Sequence, residues 1–221
     1  MRNQRRRKEV LSIGGVLMAE TGGGASVEDK SFLILHGWQN RRPEEHWQYK
    51  LASALTGRGY RVRYPQLPDP DEPVLKDWLA AIEQELHEAG SANVVVIAHS
   101  LACAAWLHLA QSGSVHLPVA RLLFVAPPSP EFLAAEPAIA EFVPPQAGLG
   151  AIGATSATKP RLACAQGDPT CSPSADQVYP GVFDVDLIPH GGHLDMPAGY
   201  GEWPSILDWC EHPDRRLTAN N

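Results

Sequence analysis

Short unbroken apolar runs alternate along this chain with longer stretches in which apolar residues recur every three or four positions. The run at 94–97 has no polar side, the pattern of a strand covered on both faces, and 31–35, 119–125 and 161–165 read as further strands. A helical stretch from about Glu44 to Leu55 ends at Gly57 and Gly59, and a strand at Tyr60–Tyr64 follows. Leu75, Trp78, Leu79, Ile82 and Leu86 mark an amphipathic helix that Gly90 closes. Helix formers follow residue 100, Val182–Ile188 alternates in and out as an edge strand would, and a last helix covers about Trp203–Cys210. This alternation predicts an α/β fold, a doubly wound, mainly parallel six-stranded sheet flanked by helices. Right-handed crossovers and a strand order of 2-1-3-4-5-6 place a switch point between the first and third strands, where ligands bind.

Between the fourth and fifth strands, Pro127–Pro145 is proline-rich with one short helix, and Gly148–Thr158 is small and uncommitted. Together they read as an insertion over the strand ends, a rudimentary lid. A chain of 221 residues needs only one core, which predicts one domain over 30–212, a flexible arm at 1–29 and a tail at 213–221. The arm holds Arg5-Arg6-Arg7-Lys8 and an apolar run, Val10–Ala19, that imitates a secretory signal. The run is short, contains Gly14-Gly15 and is closed by Glu20, and Met18 offers a second start, so a cytoplasmic protein is expected. No stretch approaches the ~20 apolar residues of a membrane span. The formal net charge of -7 argues against a nucleic-acid or anionic-membrane partner. Cys103, Cys164, Cys171 and Cys210 lack paired spacing and read as free thiols in a reducing compartment.

The candidate chemistry starts at residue 100. Val94-Val95-Val96-Ile97-Ala98-His99 is a buried strand, Leu101–Ala110 a helix, and Ser100 stands at the turn between them, the context of a nucleophile elbow. A serine hydroxyl is a weak nucleophile; it needs a histidine base and backbone N–H donors for a developing oxyanion. The usual elbow has glycine two residues before and two after the serine, and here Ala98 and Ala102 stand there. A serine capping a helix is the plainer reading of the string taken alone. Cys103 falls inside the helix, where a small buried core residue is expected.

A serine of this kind needs an acid and then a histidine, in that order along the chain. Asp168 follows the fifth strand in Gly167-Asp168-Pro169, and His193 follows the sixth in His190-Gly191-Gly192-His193. Asp184 and Asp186 lie inside a strand and Asp176 too far beyond one, which makes them poorer acids. His190, His193 and Asp195 could suggest a metal, but glycine spacers without further His or Cys argue against a preformed site. His99 is expected to face away from the serine and pack, and His36 to serve the loop after the first strand. The oxyanion donors expected are the backbone N–H groups of Leu101 and Trp38.

The segments His36-Gly37-Trp38, Glu44-Glu45-His46-Trp47-Gln48, Ala98-His99-Ser100-Leu101, Gly167-Asp168-Pro169, Gly192-His193 and Gly201-Glu202-Trp203-Pro204 occur in an order that resembles the small retinoblastoma-binding-protein-nine/YdeN family of serine hydrolases. The similarity spans about Ser31 to Trp209 and implies a compact α/β-hydrolase with Ser100, Asp168 and His193 as its triad. It departs at Ala102, where members usually carry glycine. The expectation is a hydrolase of small ester, thioester or amide bonds, acting through an acyl-enzyme without a cofactor or metal, with Trp38, Leu101 and Met196 walling a shallow pocket for short acyl groups. Two rivals stand beside it. One is an inactive protein-binding module; Leu162-Ala163-Cys164-Ala165-Gln166 only approximates the partner-type string L-x-C-x-E. The other is an aminopeptidase, which needs an acid at the pocket mouth.

Overall fold

A computed structural model describes residues 30–90 and 93–220, and the expected N-terminal arm lies outside them. Its strands are β1 (Ser31–Leu35), β2 (Arg61–Arg63), β3 (Val94–His99), β4 (Arg121–Val125), β5 (Arg161–Ala165) and β6 (Asp184–Ile188). They form one six-stranded sheet in the order β2-β1-β3-β4-β5-β6. Every pairing in it is parallel. The helices are α1 (Trp47–Gly57), α2 (Leu75–Ala89), α3 (Leu101–Ser112), α4 (Pro130–Ala135), α5 (Gln146–Ala151), α6 (Ala175–Val178) and α7 (Pro204–Glu211). None of the helices among the described residues is long and apolar enough to cross a membrane.

Successive strand residues point to opposite faces, so the unbroken apolar runs feed two cores. Phe32, Ile34, Val95 and Ile97 join Trp47, Leu51, Leu55, Ile206 and Trp209, from α1 and α7, on one face. Leu33, Leu35, Val94, Val96 and Ala98 join Trp78, Ile82, Trp106 and Leu109, from α2 and α3, on the other. β3 lies between β1 and β4 and is buried along its whole length, so the residue at its C-terminal end is held from both sides.

The insertion differs from the expected lid. It forms α4, α5 and short 3₁₀ turns at Ala140–Phe142 and Ile152–Thr155; α5 and the two turns pack on α3, and α4 packs on the first turn. The reason is apolar content that the loose composition conceals: Leu133, Ile139, Phe142 and Ile152 are buried in the same core as Trp78 and Trp106. Phe142 meets Trp78 edge-on, and the Trp106 indole donates to Thr155 Oγ1 at 3.0 Å. β4 is shorter than the 119–125 run. Val119 forms a separate parallel bridge with Ser156, its amide donating to the Thr155 carbonyl at 2.9 Å.

Residues beyond α7 close back on the sheet edge. The buried Asp186 carboxylate binds Arg161 at 3.0 Å and Arg216 at 2.5 Å, and accepts the Leu217 amide at 3.1 Å. Asp186 is thereby committed to structure.

Helices α3 and α5 touch through Gly148, where a Cβ would stand 2.4 Å from the Leu107 carbonyl oxygen. Gly148→Ala should push the insertion off α3 and cost about 1–3 kcal/mol in urea denaturation. Wild-type stability in that variant would contradict the packing described.

Candidate active site

The chain reverses from β3 into α3 within a single residue. Ser100 has φ 54 and ψ -122, a conformation that L-residues adopt at a cost of about 1–3 kcal/mol and that persists only when its surroundings hold it. They do: the Ser100 amide donates to the Val125 carbonyl at 2.9 Å, and the Cys103 thiol donates to the Ala98 carbonyl at 3.2 Å. Ala98 and Ala102 are fully buried in the α2/α3 core, so their methyls are packing groups and the elbow forms without glycine at either position. The glycine that the turn does require lies across from it. A Cβ on Gly37 would stand 2.7 Å from Ser100 Cβ, so only glycine lets the β1 loop approach this closely.

Strain gathers at this edge of the sheet. Among the described residues, the non-glycine positions with positive φ are Gln39, Arg42, Asp69, Ser100, Ala126, His190 and Leu194, all in loops that follow the C-terminal ends of strands. Ligand sites of doubly wound sheets form at that edge.

Ser100, Asp168 and His193, separated by 68 and 25 positions, are brought into one hydrogen-bonded line. His193 Nε2 lies 2.9 Å from Ser100 Oγ, and Nδ1 lies 3.0 and 3.1 Å from the two Asp168 oxygens. An ionised carboxylate only accepts, so Nδ1 carries the proton and Nε2 presents its lone pair to the serine hydroxyl. Asp168 is buried, and its Oδ1 is held by the Thr170 amide at 2.8 Å and hydroxyl at 2.9 Å. Thr170 Oγ1 also lies 3.0 Å from His193 Nδ1. Sequence reasoning passed over Thr170; its signal was a hydroxyl two residues after an Asp that opens a turn.

Leu101 is the first residue of α3, where a backbone N–H has no partner within the helix, and the helix begins beside Ser100 with its positive end. Its side chain departs from expectation: it is 1% exposed and packed in the α2/α3 core, because helix geometry turns it under the elbow. Trp38 and Met196 do border the cavity beside Ser100, which measures about 320 Å³ and whose lining includes Pro43, His46, His99, His193 and Pro197. No insertion residue lines it among the described residues. A hollow of about 390 Å³ between Glu83, His87, Ser114 and Leu117 holds none of the groups in that line.

Three further histidines surround this region in neutral form. His36 Nε2 accepts the Leu67 amide at 2.8 Å, which leaves Nδ1–H to donate to the Gly37 carbonyl at 2.8 Å; the ring ties the β1 loop to the β2 loop. His46 caps α1 by accepting the Gln48 amide on Nδ1 at 3.2 Å. Burial pushes both down to about 4. His99 is fully buried and held well below the usual range, chiefly by desolvation and then by the neighbouring His193 and His46. It packs as expected but faces the site: its ring centroid is 5.2 Å from that of His193.

The remaining candidates fall elsewhere. Burial pushes the Cys103 thiol strongly up, which removes it as a nucleophile. Asp176 accepts from Ser174 Oγ at 2.6 Å, and His190 is exposed. Among the described residues no group of three or more His, Cys, Asp or Glu could hold a metal ion.

The fold is that of the α/β-hydrolases. Residues 32–211 match the sequence profile of the Serine hydrolase family, and the chain belongs to it. It is 26% identical over 195 residues to YdeN of Bacillus subtilis (strain 168), covering 81% of this chain and 93% of that one. The crystal structure of the ydeN gene product superposes with a TM-score of 0.69 at 21% identity, over 82% of this chain and 97% of the other. The esterase domain of a Rhodothermus marinus protein follows the same fold at 15% identity, with a TM-score of 0.55 over 79% and 82% of the two chains.

The three histidines contribute to the acid response of the fold, as does His108 on α3, which burial also holds below its usual value. Their folded pKa lies below the usual 6.5, so as pH falls from 6.5 towards 4 the unfolded chain binds protons that the folded chain refuses. The contribution of these rings to stability is therefore fully present above 6.5 and is lost through that window, each ring removing up to about 1.4 kcal/mol per pH unit. Urea denaturation at pH 7 and pH 5 should show a loss of about 2 kcal/mol or more. Equal stability at the two would contradict the neutral burial of these rings.

Proposed function

We propose that this hydrolase cleaves small ester or thioester bonds through an acyl-enzyme on Ser100. The observation that carries the reading is His193, which reaches Ser100 Oγ with Nε2 and the Asp168 carboxylate with Nδ1. Ser100 Oγ attacks the substrate carbonyl carbon while its proton passes to His193 Nε2. Asp168 fixes the ring and stabilises the imidazolium, and Thr170 keeps the carboxylate in place. The oxyanion is received by the amides of Leu101 and Trp38; a single such donor is worth about 10²- to 10³-fold in rate. Collapse of the tetrahedral intermediate breaks the bond to the leaving group, which takes the proton from His193. A water, deprotonated by the same ring, then releases the acid and restores Ser100.

The cavity supports the choice of a small substrate. At about 320 Å³ it lies near the low end for small-molecule sites, and Trp38, Pro43, Met196 and Pro197 offer apolar walls to a short acyl chain. No group in this mechanism needs a cofactor. The peptidase alternative gains little from Asp195: it borders the cavity, but its Oδ1 accepts the Ala198 amide at 3.1 Å and Arg41 stands on the same rim. The string Leu162–Gln166 that approximates a partner motif begins within buried β5, which weakens the binding-module alternative.

A fluorophosphonate should label the wild-type protein, and Ser100→Ala should abolish labelling. His193→Ala and Asp168→Asn should each lower turnover of a short-chain ester by about 10³-fold or more while the protein stays folded. Labelling that survives Ser100→Ala, or near-normal turnover in either of the other two, would reject the assignment.

A further inference from the structure

The loop that carries His193 is held at two successive carbonyls by side chains from other elements. The Trp47 indole N–H donates to the Leu194 carbonyl at 2.8 Å, and His99 Nε2 lies 3.2 Å from the His193 carbonyl. A carbonyl can only accept, so the His99 proton sits on Nε2. His99 Nδ1 is consequently left buried with no partner, a cost on the order of 1–3 kcal/mol that a purely packing residue would not incur. The two donors brace each other: their rings meet edge-on at 5.6 Å, and Trp47 meets Trp203 the same way at 5.4 Å. The Trp47 amide adds a bond to the Tyr200 carbonyl at 3.2 Å, further along the same loop. Between the clamped carbonyls lies Leu194, held at φ 51, where a leucine does not rest unaided.

We propose that His99 and Trp47 form a clamp that sets the position of the His193 imidazole against Ser100, and are positioning residues for the reaction. The inference rests on His193 being the base. His99 is the last residue of β3 and immediately precedes Ser100, so the strand end that presents the nucleophile also grips the backbone of its base. Both reacting groups are then referred to one buried element, and the Nε2 to Oγ distance of 2.9 Å does not depend on the glycine-containing loop alone. Trp47, the first residue of α1, supplies the second point, without which the loop could pivot about the first.

The test removes donors while keeping volume. Trp47→Phe deletes the indole N–H, His99→Leu deletes the ring donor, and His99→Gln replaces it with an amide donor. Fluorophosphonate labelling rates and steady-state turnover of a short-chain ester are measured below each variant's melting transition. Trp47→Phe and His99→Leu should lower labelling and kcat by about 10- to 100-fold with KM nearly unchanged, and His99→Gln should recover most of the loss. Where His99→Leu does not fold, Trp47→Phe carries the test, because it removes little volume. Wild-type rates in Trp47→Phe, or a loss in His99→Gln as deep as in His99→Leu, overturn the clamp. Labelling that survives Ser100→Ala instead overturns the nucleophile assignment beneath it.

Discussion

The molecule is arranged around one backbone constraint, the reversal at Ser100. A buried parallel strand must give way to a helix in one residue, and the residue that takes the turn adopts φ 54 and ψ -122 without being glycine. Such strain lasts only in a rigid frame. β3 supplies it with neighbours on both sides and a core on each face, and the first residues of α3, Leu101, Ala102 and Cys103, are sealed in the α2/α3 core. What the strain produces is a hydroxyl lifted from the sheet beside a helix N-terminus, with Gly37 pressed against it from the β1 loop.

Most of this was legible in the chain because the signals were local or topological. Four β-branched residues before Ser100 identify a central strand, the alternation of elements predicts a parallel sheet covered on both faces, and Asp168 and His193 stand just past the ends of β5 and β6. The alanines at 98 and 102 looked like a departure because the elbow was judged by glycine's backbone freedom. In the fold the positive φ falls on Ser100 itself, and the alanines answer only for space.

Long-range side-chain contacts were the part that a linear reading missed. Nothing local ties Trp47 to Leu194 across 147 positions, or Phe142 to Trp78. Leu101 adjoins Ser100 in sequence, but a helix turns successive side chains by about 100° and sends this one into the core. Glycines and prolines punctuate the insertion, whereas its few large apolar residues decide where it packs. Thr170 was hidden by its ordinariness: a turn hydroxyl becomes informative only once the carboxylate it holds is seen facing a histidine.

The histidines show how one neighbourhood can hold several imidazoles without confusing their tasks. His36, His46 and His99 are committed to backbone partners and kept neutral by burial, and none of the three is hydrogen-bonded to Ser100. His193 is the ring whose two nitrogens face an acid on one side and a hydroxyl on the other. The most direct measurement of the central claim is rapid-quench mass spectrometry of the protein mixed with an activated short-chain ester, followed by peptide mapping. The account predicts one acyl adduct on the peptide containing Ser100, accumulating when deacylation is slowed. Turnover with no adduct under that condition, or an adduct carried by another residue, would contradict it.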